Sequence, residues 1–224
     1  VKVLLSGVVG STAYGLAHEG SDIDRLGVFA ARTRAFHGLS KPQESIVETD
    51  PDITVHEAGK FCRLALNGNP TVMELLWLEG YETLTPLGQE LIDIRSAFLS
   101  ATRVRNAYLG YATQQLTRLE DLSDVHLSSR KAKHARHMYR LLMQGLCLWT
   151  RGELPIKLEN PDVVFSFGSR VALGDLNHAR LLLLQFEHTF NSVPTVLPDR
   201  PDERVVEEWL HRVRDEFYER KETR

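Results

Sequence analysis

The stretch Leu5-Ser-Gly-Val-Val-Gly10-Ser11-Thr-Ala-Tyr14-Gly15-Leu-Ala-His-Glu-Gly-Ser21-Asp22-Ile-Asp24-Arg25-Leu-Gly27-Val28-Phe29 decides how the chain folds. An apolar run from Val3 to Val9 stops at Gly10-Ser11 and a second run begins around Ile23, which predicts strand, tight turn, short helix, loop and strand. At the turn Gly10 lets the backbone approach a ligand closely, Ser11 supplies a hydroxyl, and the N–H groups opening the helix favour an anion such as phosphate. Beyond the loop, Asp22 and Asp24 stand at the expected head of a strand. A period of two sends both carboxylates to one face and Ile23 into the core. Adjacent carboxylates repel unless a cation lies between them, and Mg²⁺ takes carboxylate, phosphate and water ligands.

In this order, Gly10-Ser11, Tyr14-Gly15 and Ser21-Asp22-Ile-Asp24 followed by Gly27-Val28 resemble the nucleotidyltransferase signature of the DNA polymerase beta superfamily. More narrowly, the chain is similar to stand-alone bacterial and phage nucleotidyltransferases, some of them associated with RNA repair. The resemblance implies Mg²⁺ or Mn²⁺ as cofactor, an NTP as substrate, Asp22 and Asp24 as catalytic metal ligands, and Gly10, Ser11, Tyr14 and Ser21 around the nucleotide. It also implies a third carboxylate on a strand that follows the Asp-x-Asp strand. Asp52-Ile-Thr-Val-His-Glu57 alternates as such a strand, with Asp52, Thr54 and His56 on one face. Asp52 fits the third position best, with Asp50 and Glu57 as rivals, and His56 reads as a hydrogen-bonded structural residue. Arg25 departs from the family pattern, which has an apolar residue there; alternation sends it to the face away from the metals.

The 224 residues suffice for a sizeable core in one large domain or two small ones, and two are expected: a catalytic domain over 1–95 and a helical domain over 96–224. With 42% hydrophobic and 25% charged residues the composition is that of an ordinary globular protein, and no apolar run is long enough to span a bilayer. The first residues read as a buried strand rather than a signal peptide, and Cys62 and Cys147 as reduced buried thiols, so a cytoplasmic location is expected. A formal net charge of -3 gives no global attraction to nucleic acid, so any polynucleotide contact must be local.

Ala30 to Pro51 has turn-forming residues with little periodicity and reads as a mobile connector, with a short strand at Ser45 to Glu48. From Ala58 the spacing of Phe61, Leu64 and Ala65 predicts a helix ending at Asn67-Gly-Asn, and Pro70 opens another. Lys60-Phe61 and Asn69-Pro-Thr-Val-Met-Glu74-Leu-Leu also resemble a second signature of the narrower family, with Glu74 read as the polar edge of its helix. Thr85-Pro86 starts a helix, and the helical period then dominates: 97–122, a Ser-rich interruption, 129–149, an apolar helix over 176–190, and a last helix after Pro201-Asp202 that runs into the charged tail 219–224. A short extended segment is expected at Leu154 to Leu158.

In the helix after Ser129, Arg130, Lys133, His134, His137 and Arg140 fall in one arc of about 120°, opposite Ala135, Met138, Leu142 and Met143. Acidic partners at i, i+4 are absent, so the charges look reserved for an anion, triphosphate or RNA. The resemblance points Lys133 and Arg140 at the nucleotide.

The reading is an α+β protein, a nucleotidyltransferase-like small mixed sheet with helices followed by an all-helical C-terminal domain that closes over the nucleotide. It moves an NMP from an NTP to an acceptor hydroxyl, an RNA or tRNA end, and releases pyrophosphate. The alternatives are AMP transfer to a partner protein, nucleotidylation of a small molecule, or a non-catalytic nucleotide-binding module. Two retained, mutually repelling carboxylates argue against the last.

Overall fold

The computed structural model describes residues 1–122 and 128–218. The expected Ser123-Asp124 break and the tail 219–224 lie outside the described residues. The chain divides into two compact units, Val1–Phe98 with the segment from Pro201 onward, and Leu99–Arg200. This grouping and the sequence-based division at residue 95 differ in where residues 201–224 belong.

The first unit is built on a five-stranded sheet ordered β3-β4-β2-β1-β5. Its strands are β1 (Lys2–Val8), β2 (Arg25–Ala30), β3 (Ser45–Thr49), β4 (Asp52–Glu57) and β5 (Thr83–Leu84). The pair β2–β4 is parallel and the other pairs are antiparallel, so the sheet is mixed as expected. β5, only two residues long, is not foreshadowed by any periodicity. Phe29, Ala31 and Val55 form a buried cluster against which Phe36, Ile46 and Ile53 pack. Gly27 lies inside the sheet because a Cβ there would stand 2.7 Å from Val55 Cγ1 and 2.9 Å from the Leu5 carbonyl.

Around the sheet run α1 (Gly10–Tyr14), α2 (Ala58–Leu66), α3 (Pro70–Met73), α4 (Pro86–Asp93) and α9 (Glu203–Glu216). The caps explain the boundaries: Asn69 accepts from Thr71 N–H, Thr85 from Gly88 N–H and Asp202 from Val205 N–H. Glu74 is not a polar edge, being only 2% exposed. Nor is the whole of 30–51 a loose connector. Thr33–His37 forms a 3₁₀ turn, where Thr33 N–H donates to Phe217 O and its hydroxyl to Arg214 O.

The second unit holds α5 (Ala101–Asp121), α6 (Ser128–Arg151), α7 (Pro161–Ala172) and α8 (Leu176–Ser192). The helix expected from 97 starts at Ala101, because Arg95–Phe98 is a 3₁₀ turn and Ser100 caps α5 by accepting from Arg103 N–H. Residues 154–158 pair with no strand. Gln144 instead donates to the Pro155 carbonyl, giving this extended segment a side-chain partner.

Candidate active site

The expected motif is centred where β1 ends and β2 begins. Val9 N–H donates to the Asp24 carbonyl at 2.9 Å, so the two apolar runs close on each other just beyond the ladder. Gly10 follows with φ +70, and a Cβ on it would overlap the Asp24 carboxylate at Oδ2. Only glycine both adopts this backbone at low cost and leaves room for that carboxylate. The turn therefore holds Asp24 as well as exposing backbone. α1 is a single turn, ended by Gly15 in the left-handed region at φ 75.

The strand starts later than the sequence suggests. β2 begins at Arg25, so Asp22 and Ile23 lie in the preceding loop and Ile23 is 48% exposed instead of entering the core. Asp22 is exposed and Asp24 half-buried. Ser21 closes that loop by accepting from His18 N–H at 2.9 Å, while its own N–H donates to the His18 carbonyl. Tyr14 is buried at the end of α1, and Ser11 is half-buried at its start.

Asp52 opens β4. The parallel register pairs Arg25 with Ile53, so Asp24 and Asp52 each stand one residue before the first paired position of neighbouring strands. Strands are spaced about 4.8 Å apart, which sets the scale of their backbone separation. Asp50 is exposed in the turn before β4, next to the cis Asp50–Pro51 peptide bond. Glu57 is at the far end of β4. It is buried, caps α2 by accepting from Gly59 N–H, and takes both Arg214 guanidinium nitrogens at 2.6 and 2.9 Å. Arg214 also lies over the Phe36 ring at 4.1 Å. Of the three rivals, Asp52 is the one that the register sets beside Asp24.

Among the described residues no group of three or more His, Cys, Asp or Glu forms a ready metal cage. The side chain that closes on Gly10 offers carboxylate oxygen. That suits Mg²⁺, which is usually held by one or two carboxylates with water and substrate phosphate completing its shell.

Two neighbouring features were not anticipated. Arg25 Nε donates to both Glu82 oxygens, at 2.9 and 3.1 Å, tying the residue after Asp24 to the segment entering β5. Lys60 Nζ donates to Ser45 Oγ at 2.7 Å, which in turn lies 2.8 Å from His56 Nδ1. Burial first and Lys60 second hold the His56 imidazole below its ordinary pKa. His56 is thus hydrogen-bonded, as read from sequence. These partners are distant in sequence, so no local spacing announces them.

Lys133 and Arg140 belong to the second unit. Lys133 is exposed, whereas Arg140 is 2% exposed, with Nη1 donating to Gln144 Oε1 at 2.5 Å. The basic arc is therefore not one solvent face: α6 buries Leu141, Leu142, Gln144 and Gly145 too, a wider arc than the amphipathic stripe.

A family model described as the RNA repair pathway DNA polymerase beta family matches residues 1–165. Comparison with curated proteins finds no match.

Proposed function

The chain belongs to the RNA repair pathway DNA polymerase beta family, and from that premise we propose that it is a nucleotidyltransferase that moves an NMP from an NTP to the hydroxyl of an RNA or tRNA end. The observation that carries this reading is the closure of Gly10 on the Asp24 carboxylate, with Asp22 exposed in the adjoining loop. A solvated surface aspartate needs no glycine cradle.

Asp22 and Asp24, with Asp52 on the strand paired to β2, would hold the divalent ions. When bound, such ions neutralise phosphate charge and favour ionisation of the attacking hydroxyl. The chain's own contribution is placement. The Gly10 turn fixes Asp24, the His18–Ser21 turn shapes the loop that presents Asp22, and the Arg25–Glu82 pair restrains the first residue of β2. Gly10 lies against Asp24 in the fold and, with Ser11, is assigned to the triphosphate. The acceptor oxygen bonds to the α-phosphorus as the bond to pyrophosphate breaks, and the hydroxyl proton is released.

The test is incubation with each α-labelled NTP and Mg²⁺, with and without RNA, in wild type and Asp22→Asn. Label on RNA that disappears in the variant supports the reading. Label only on protein or on small molecules points to the other acceptor classes.

A further inference from the structure

α6 carries Arg130, Lys131, Lys133, Arg136, Arg140 and Arg151, with His134 and His137, and no acidic residue over Ser128–Arg151. These cations do different things. Arg136 lies over the Phe165 ring at 5.2 Å and Arg140 is buried on Gln144. Arg130 and Lys133 are exposed, as is Arg118 on α5. None of these three forms an ion pair among the described residues.

The two helices meet at this point. His134 Nδ1 lies 2.8 Å from Gln115 Oε1, about one helical turn from Arg118 on α5 and from Arg130 on α6. Of the nearby carboxylates, Glu120 is taken by Arg180 at 2.9 Å and Asp121 lies at the end of α5. The concentration of positive charge registers on the two histidines. Burial lowers the pKa of His134, and Arg118, Arg130 and Lys133 lower it further. Burial also pushes His137 down to about 3, aided by Arg140, His134, Arg118 and Lys133.

A merely solvated helix face would be expected to intersperse acidic residues at i, i+4. On α6 like charges are gathered without them. We propose that Arg118, Arg130 and Lys133, flanking the His134–Gln115 contact, form a docking surface for the phosphodiester backbone of single-stranded RNA. The cations are divided between two packed helices, so a strand lying over them meets charge from both. They are also exposed along the helices, where a polymer can lie. The choice of RNA rests on the RNA-repair reading above; the surface itself lies wholly within the second unit.

The test is fluorescence anisotropy of the full chain with a labelled oligouridylate of about 16 nucleotides, the upper end of single-strand site sizes, over a salt series without NTP. Each of Arg118→Gln, Arg130→Gln and Lys133→Gln should weaken binding and lower the log–log salt slope by about 0.7. The triple variant should lose most of the affinity. The His134 pKa, followed by NMR, should rise when RNA binds. A triple variant with wild-type RNA affinity and slope overturns the proposal, as does one that loses ATP affinity while keeping RNA affinity. Wild type without measurable RNA binding at low salt overturns it as well. If RNA binding behaves as expected but no nucleotide is ever transferred, the nucleotidyltransferase reading falls and the docking surface stands.

Discussion

Asp22 and Gly10 separate chemistry from architecture. Asp22 is exposed, so Asp22→Asn should abolish transfer while changing stability by no more than about 0.5 kcal/mol, as surface substitutions usually do. Gly10→Ala should do both kinds of damage. Its φ of +70 and the Asp24 carboxylate in the Cβ position force one or the other to move, at a cost of about 1–3 kcal/mol. A urea melt beside a transfer assay distinguishes the two variants. Cys62 gives an independent check of the same unit. It is 3% exposed, and burial, followed by the Glu57 carboxylate, pushes its thiol up to about 12. Alkylation at pH 8 should therefore label Cys62 only after unfolding. Since the folded pKa lies above the ordinary 9.0, its contribution to stability is intact below pH 9 and declines as pH rises toward 12.

At the scale of elements, the chain announces what is local. The Val3–Val9 run, the Gly10-Ser11 stop and the alternation of Asp52–Glu57 are all written in nearest neighbours, and each became the expected strand or turn. The start of β2 was misread because Ile23 satisfied the alternation, while the ladder with Val8 and Ile53 begins only at Arg25. Arg140 was misplaced for a related reason: a helical wheel gives an angle, and which angles are buried depends on neighbouring helices. Its burial beside His137 has a measurable consequence. His137 is held at about 3, below its ordinary 6.5, so its contribution to stability is complete above pH 6.5 and is lost as pH falls from 6.5 toward 3. Urea unfolding across that range should show a decline in wild type that His137→Gln reduces. An equal decline in both would mean that His137 is not the group responsible.

At the scale of the whole molecule, the last helix belongs with the sheet that begins the chain. Glu57 accepts from Arg214, Trp209 Nε1 donates to the Leu87 carbonyl at 2.9 Å, and Val206, Trp209 and Val213 are buried. Trp209 and Val213 stand four apart on one helix face, yet nothing in that spacing says which core they enter. Removing one partner of a buried ion pair leaves the other uncompensated, so Glu57→Gln should destabilise the first unit by about 3 kcal/mol, read as a lower urea midpoint with Cys62 alkylation as the local probe. The candidate site was more legible than this long-range packing. Gly10, Asp22 and Asp24 lie within one short stretch, while Asp52 comes beside Asp24 through a parallel register that sequence alone leaves open. No helix among the described residues is long and apolar enough to cross a membrane. Nucleotidyl transfer at Asp22 and Asp24, as proposed, is read out with α-labelled NTP, Mg²⁺ and RNA. Wild type should give labelled RNA and Asp22→Asn none. Equal labelling by both proteins would contradict it.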